Sequence, residues 1–395
     1  MRGGTVRYLF DVVAATPGIT HHVALPRRVG VAGRSGAVAD TRAAERLTAC
    51  GATVHVVDMR RNPLHPANAA AVAAVGRLIR EIEPDVVHGH SSVGGLVARV
   101  AARPAGVPAV HTPNGLMTSP PAVAFERILG TATARVIAVS DSEAGRVAAH
   151  RLVPASRVVV IPNGISLALP GPAPDVRTRL GLPAGTPLVA TVARVARQKA
   201  PEQFVRACAA LARRRPAVHF LLIGLGPEQH LVDREVAANR LGGRFHQIPH
   251  LDDAAAAMGQ FDVFLLLSRY EGGPYTPLEA MRAGVPVVLS DVVGNRDTVV
   301  DTVTGYLTPF GDAEAAAAAA VVMLDDPDRR AEVVAAARAR LRAEFNRDTM
   351  GERVADVYRE LAAAGGQPPV RRRTRRLPQA SSGQSTKRPD DCASR

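Results

Sequence analysis

Two carboxylates and two cations carry the strongest chemical signal in this chain. Glu271 and Glu279 stand eight residues apart in "SRYEGGPYTPLEAMRAGVPVV" (268–288), with a Gly-Gly pair between them. The glycines, Gly272 and Gly273, let the backbone come close to a ligand. Thr276-Pro277-Leu278-Glu279 has the form of a helix start, with Thr276 as N-cap, Pro277 at the first helical position and Glu279 closing a capping box. The free amides of such a start suit an anion. Arg194 and Lys199 lie upstream in "RVARQK" (194–199), and Lys199 is one of only two lysines among 49 Lys and Arg, the other being Lys387. A forked guanidinium and a point-charge ammonium match a diphosphate leaving group, whose charge grows as its bond to a sugar breaks. Carboxylates match the hydroxyls of a hexose or ribose. The four together point to a phosphorylated, hydroxylated ligand.

Other chemistry is poorly represented. Asp326-Pro327-Asp328, the only Asp-x-Asp, lies between two helical stretches and reads as a turn and N-cap, so no carboxylate pair for Mg²⁺ is offered and no metal is expected. Gly224 and Gly226 in "LLIGLGPE" lack the third glycine and the later acidic residue of a dinucleotide fingerprint. They are read instead as lining the same pocket.

Positioning these residues falls to alternating β and α segments. Strand candidates in the first half are "THHVALP" (20–26), "ATVHVVDM" (52–59), "DVVHGHS" (85–91), "PAVHTPNG" (108–115), "RVIAVSDS" (135–142) and "RVVVIPNG" (157–164). Helices lie between them, such as Pro66–Glu83 with Val72, Val75, Leu78, Ile79 and Ile82 on one face. Unbroken Val/Ile runs indicate parallel strands covered on both sides. A Pro/Gly-dense stretch (166–187) reads as a linker. The alternation then restarts with "PLVATVARV" (187–195), "VHFLLIG" (218–224), "RFHQIPHL" (244–251), "FDVFLLLS" (261–268), "VPVVLS" (285–290) and "GYLTPF" (305–310), and residues 313–364 are helical. The fold class is therefore α/β, with two doubly wound domains facing a central cleft and a helical C-terminal segment. The expected division is 1–165, a linker at 166–186, a second domain at 187–345, a helix at 346–365 packing back on the first domain, and a disordered basic tail at 366–395.

At 395 residues, two domains are the default. The net charge is +13, of which the tail "GQPPVRRRTRRLPQASSGQSTKRPDDCASR" holds eight Lys and Arg against two acids. The rest is a mild excess, and with 4% aromatics and no nucleic-acid motif a nucleic-acid partner is excluded. The arginine-rich tail leaves peripheral contact with an anionic membrane open. Three cysteines without CxxC or metal spacing, and an N-terminus broken by Arg7 and Asp11, read as a reducing, cytoplasmic chain, peripheral at the inner membrane face if that contact is made.

"ARVARQKAPEQFVRA", "LLIGLGPE", "HLDD…FDVFLLLSRYEGGPYTPLEAMRAGVPVV" and "IPNGI" together resemble a retaining glycosyltransferase of family 4, of GT-B architecture, over nearly the whole chain up to about residue 364. The resemblance implies a hexosyltransferase that takes a nucleotide-diphosphate sugar as co-substrate and needs no cofactor. Arg194 and Lys199 would bind the diphosphate, Glu271 with the backbone of Gly272, Gly273 and Pro274 the donor sugar and phosphate, and Glu279 the ribose. The base would lie against Ile248 to Leu251, with Gly224 lining the pocket. No protein nucleophile is implied, the leaving phosphate itself helping to deprotonate the acceptor. On the acceptor side stand Gly3, Gly4, His90, Asn114 and His111, the last as a catalytic candidate; two histidines on apolar strands also fit a structural role. Many relatives carry a histidine where Asn114 stands, and His111 lies three residues earlier. The acceptor is a glycan, a lipid-linked glycan or a small molecule.

Relatives begin with a strand before a Gly-Gly loop, whereas Gly3-Gly4 here follows Met1-Arg2 directly and "TVRYLFDVVAA" is already helical. The expectation is an upstream start, or else a first domain lacking its central strand. That gap and Asn114 motivate a second reading, a catalytically weak GT-B module that binds sugars or scaffolds a partner.

Overall fold

The computed structural model describes residues 4–27, 41–60, 62–63, 65–116 and 119–364. Gly3 and the basic tail lie outside them. The first half runs α1 (Gly4–Ala15), β1 (His22–Pro26), α2 (Thr41–Ala49), β2 (Thr53–Val57), α3 (Ala67–Ile82), β3 (Val87–His90), α4 (Ser91–Ala102), β4 (Ala109–Thr112), α5 (Pro120–Gly130), β5 (Arg135–Ala138), α6 (Asp141–Ala149) and β6 (Val158–Val160). The second runs α7 (Val176–Arg179), β7 (Leu188–Val192), α8 (Pro201–Arg214), β8 (His219–Ile223), α9 (Gln229–Ala238), β9 (Phe245–Ile248), α10 (Ala254–Ala257), β10 (Val263–Leu266), α11 (Tyr275–Ala283), β11 (Val287–Ser290), α12 (Asn295–Thr298), β12 (Tyr306–Thr308), α13 (Ala313–Asp325), α14 (Pro327–Glu344) and α15 (Arg347–Ala364).

The second sheet is parallel throughout, in the order β12-β11-β10-β7-β8-β9. Its inner strands β11, β10, β7 and β8 are largely apolar on both faces because both are covered. Val189, Val263 and Leu265 pack with α8 and α13, while Ala190, Phe264 and Leu266 face α11 and α14. The chain winds one way from β7 to β9 and the other from β10 to β12. A crevice therefore opens beyond the carboxyl ends of β7 and β10, where the covering helices diverge.

The first half holds two parallel sheets, β1-β2 and β3-β4-β5-β6, and among the described residues no strand joins β1 to β3. Helix α3 buries Ala71, Val75 and Ile79, and ends with Glu83 in the left-handed region at φ 51°, its amide donating to the Ile79 carbonyl. Asp326-Pro327-Asp328 opens α14, with Asp326 accepting from the Arg329 amide.

Helix α15 packs against α1: a Cβ on Gly351 would sit 2.3 Å from the Ala15 Cβ. Tyr358 Oη lies 2.6 Å from His88 Nδ1, and a bridge pairs Ile165 with Asn346. Among the described residues no helix is long and apolar enough to cross a membrane.

Candidate functional site

The cationic segment leaves β7 at the crevice. Ala193 donates to the Ile223 carbonyl and Val195 to Leu225, so this stretch runs hard against the exit of β8. A Cβ on Gly224, at φ +148°, would fall 1.9 Å from the Ala193 carbonyl oxygen, and one on Gly226 2.0 Å from that of Val195. This close approach, not a dinucleotide, is what requires the two glycines, and both also line the cleft. A short turn over Arg197–Lys199 follows, and Ala200 at φ 44° leads into Pro201, the first residue of α8. Lys199 Nζ donates to Glu271 Oε1 at 2.6 Å. Gln198 donates to the Tyr270 carbonyl at 3.1 Å, and the Arg269 amide donates back to the Gln198 carbonyl at 2.9 Å, so the loops leaving β7 and β10 are laced together. Arg194 is exposed at the cleft wall and has no ion-pair partner among the described residues.

The twin glycines are clamped by the first half of the chain. A Cβ on Gly272 would meet the Gly115 amide nitrogen at 2.9 Å, and one on Gly273 would meet Asn163 Nδ2 at the same distance. Asn163 donates to the Gly273 carbonyl at 2.6 Å. Helix α11 starts at Tyr275 with Pro274 as N-cap, so the expected capping box does not form. Thr276 is already helical, because Pro274 supplies the extended residue the start needs. Glu279 is thereby free of capping and accepts from Arg7 Nη1 at 3.1 Å, across the cleft. Pro274, Tyr275 and Thr276 line the cleft at the amino end of α11, whose first amides have no partner within the helix.

On the acceptor side, Gly4, His90 and Asn114 line the cleft. Burial pushes the His90 imidazole down to about 3. Asn114 holds φ 53°, and the turn it forms is tied down from below. Glu143 accepts from the Gly115 amide at 2.7 Å and the Val139 amide at 3.0 Å, while Ser140 caps α6. Sequence reasoning passed over Glu143, although the Ser140-x-x-Glu143 spacing marked it.

Two further expectations need correction. His111 is not a cleft residue. It is buried between β4 and α4, with Nδ1 donating to the Gly89 carbonyl at 3.2 Å and Nε2 3.8 Å from Glu126, which the buried Arg99 grips with both Nη atoms. A fully paired strand covered by a helix turns this side chain inward. Ile248 is likewise core. It ends β9 and offers its carbonyl to the Gly224 amide at 2.9 Å, leaving Pro249, His250 and Leu251 to line the cleft.

The resulting cleft of about 3590 Å³ brings together Arg194, Lys199, Glu271, Gly272, Gly273, Pro274, Glu279, Gly224, Leu251, Gly4, His90 and Asn114. Among the described residues no three His, Cys, Asp or Glu side chains are grouped to hold a metal ion. Such an arrangement has the chemistry to seat an anion between cations and helix amides, with carboxylates near enough to accept from hydroxyls.

Known proteins share this organisation. Residues 2–169 match glycosyltransferase family 4, and residues 173–340 match the glycosyl transferases group 1. The chain is 32% identical over 332 residues to a 2-deoxystreptamine N-acetyl-D-glucosaminyltransferase of Streptomyces fradiae, covering 75% of this chain and 76% of that one. It is 29% identical over 255 residues to the UDP-Gal:alpha-D-GlcNAc-diphosphoundecaprenol alpha-1,3-galactosyltransferase of Escherichia coli, covering 60% and 66%. Anabaena HepE, solved with UDP and glucose, has the same fold at a TM-score of 0.77 and 21% identity, covering 91% of this chain and 97% of that one. The chain belongs to the family 4 glycosyltransferases, GT-B enzymes built of two facing Rossmann-like halves.

Proposed function

We propose that this glycosyltransferase moves a sugar from a nucleoside-diphosphate sugar to an acceptor hydroxyl, with retention of anomeric configuration and without a metal ion. The observation that carries the reading is the convergence of Arg194, Lys199, Glu271, Glu279 and the amino end of α11 on one cleft. Arg194 and Lys199 face the diphosphate, and the first amides of α11 take its remaining oxygens. Glu271 and the backbone of Gly272 and Gly273 hold the donor sugar, Glu279 the ribose, and Leu251 borders the base. The bond between the anomeric carbon and the diphosphate oxygen breaks, its electron pair going to the phosphate. The acceptor oxygen attacks from the same face and passes its proton to that phosphate. Cations already in place stabilise the growing charge without reorganising.

The acceptor hydroxyl approaches from the wall formed by Gly4, His90 and Asn114. The Streptomyces relative is named for 2-deoxystreptamine and the Escherichia coli relative for alpha-D-GlcNAc-diphosphoundecaprenol, so small and lipid-linked acceptors are both represented among the names of relatives. Peripheral membrane contact in the cytoplasm rests on the tail's arginines, outside the described residues.

Hydrolysis and transfer from a panel of UDP-, GDP- and ADP-sugars, run in chelator and compared with Lys199→Ala, test the reading. It stands if one donor turns over without added cation, the product keeps the donor's anomeric configuration by NMR, and the variant is impaired. An inverted product, or turnover that Lys199→Ala leaves intact, rejects it.

A further inference from the structure

Arg7 stands on α1, in the first half of the chain, yet its guanidinium reaches the carboxylate of α11 in the second. Nε donates to Asp11 Oδ2 at 2.7 Å, and Nη1 donates to Glu279 Oε1 at 3.1 Å. The carbon of the guanidinium lies 5.7 Å from the ring centre of Tyr275. Asp11 is 1% exposed and Glu279 7%. Asp11 sits one helical turn beyond Arg7, so the first grip is local and fixes the plane of the fork. A planar guanidinium held at Nε has little freedom in where it aims Nη1. Among the described residues no other hydrogen bond reaches the Glu279 side chain, so Oε2 is left to accept from a ligand.

We propose that Arg7 is a positioning residue for the nucleotide: it locks Glu279 in the orientation that accepts from the ribose hydroxyls, so that α1 takes part in donor recognition without touching the donor. This rests on the reading of Glu279 as the ribose ligand. A carboxylate free to rotate must be ordered by the ligand itself, and that cost is subtracted from affinity. A carboxylate already held by a guanidinium, itself held by a buried aspartate, binds without it. The arrangement also makes discrimination between ribose and its deoxy forms depend on a residue in the other half of the protein. A merely structural Arg7 would not affect that discrimination.

The test compares binding of UDP, GDP and ADP by calorimetry, takes whichever binds tightest, and measures its 2′,3′-dideoxy form alongside. The ratio of the two affinities is the readout. Wild-type protein is expected to prefer the ribose form by about tenfold or more, the range for hydrogen bonds to a charged group. Glu279→Gln and Arg7→Gln each bring the ratio below about threefold, and the double variant goes no lower than Glu279→Gln alone. Arg7→Gln leaves Asp11 buried without its partner, so Arg7→Gln combined with Asp11→Asn gives the same readout if the single variant fails to fold. Should Glu279→Gln lose the preference while both Arg7 variants keep it, Arg7 has no positioning role and the ribose reading stands. Should Glu279→Gln keep the preference, the ribose reading falls and this proposal with it.

Discussion

Lys199 Nζ and Glu271 Oε1 are 2.6 Å apart, and this ion pair, with the hydrogen bonds of Gln198, joins the loop that leaves β7 to the loop that leaves β10. Glu271 is 4% exposed, so its charge is desolvated and depends on the ammonium. The ammonium carries three donors and spends one on Glu271, which leaves two for phosphate oxygens. One lysine thus serves the architecture of the crevice and, on the proposed function, its chemistry.

Lys199→Ala is therefore expected to lower turnover by about 10²–10³-fold, the usual effect of removing one donor to a developing oxyanion. Lys199→Arg should not restore it, because a longer planar fork cannot keep the Glu271 contact and also aim at the same oxygen. Steady-state kinetics with the preferred donor checks both, with thermal melting to confirm folding.

Gly224→Ala places a Cβ 1.9 Å from the Ala193 carbonyl oxygen, at a backbone φ of +148° that other residues rarely adopt. We expect a loss of about 1–3 kcal/mol in stability, together with displacement of the segment carrying Arg194. Urea unfolding would show the first, and weakened nucleotide binding the second.

Glu126→Ala should cost about 3–5 kcal/mol, the range for leaving one partner of a buried pair uncompensated. Arg99, 2% exposed, loses both Nη contacts and stays charged beside His111. Denaturant midpoints measure it. A change within error would mean that water reaches the guanidinium.

Three histidines set an acid limit. Burial pushes His90 down to about 3, and burial likewise holds His88 and His111 well below the ordinary histidine value. The unfolded chain takes up these protons near about pH 6.5, whereas the folded chain refuses them until far lower pH. Their contribution to stability is intact above pH 6.5 and drains away as pH falls toward 3. Asp11, raised to about 6 by burial against the pull of Arg7, acts oppositely, losing stability as pH rises through 6. Urea midpoints at pH 8 and pH 4 are expected to differ, with the lower value in acid, and His90→Phe should narrow the gap.

The strands and their parallel arrangement were legible because each is a short apolar run bounded by Gly, Pro or Asp, and a run buried on both faces cannot alternate. "FDVFLLLS" announced β10 in this way, and the Pro-flanked stretch of alanines and arginines announced α14. That Arg194, Lys199, Glu271 and Glu279 share one cleft was legible as well, since they follow neighbouring strands of one parallel sheet. The helix starts two residues earlier than the spacing suggests, because Pro274 and Pro277 both fit a start and only the packing of Gly273 against Asn163 selects the first.

Side-chain direction was decided by tertiary structure alone. His90 ends β3 and His111 stands one residue before the end of the neighbouring β4, in similar sequence, "HGHSS" and "HTPNG", yet one lines the cleft and the other faces Arg99 and Glu126 inside. Position along a strand sets which face a residue takes, while the helix laid over that face determines whether it meets solvent. The pairing of Glu279 with Arg7, 272 residues away, is of the same kind. Local preference acts over a few residues, and no periodicity encodes which distant helix will carry the matching charge. That is settled only when the two halves pack together, with Tyr8 and Val12 of the first in one core with Tyr275 and Leu278 of the second.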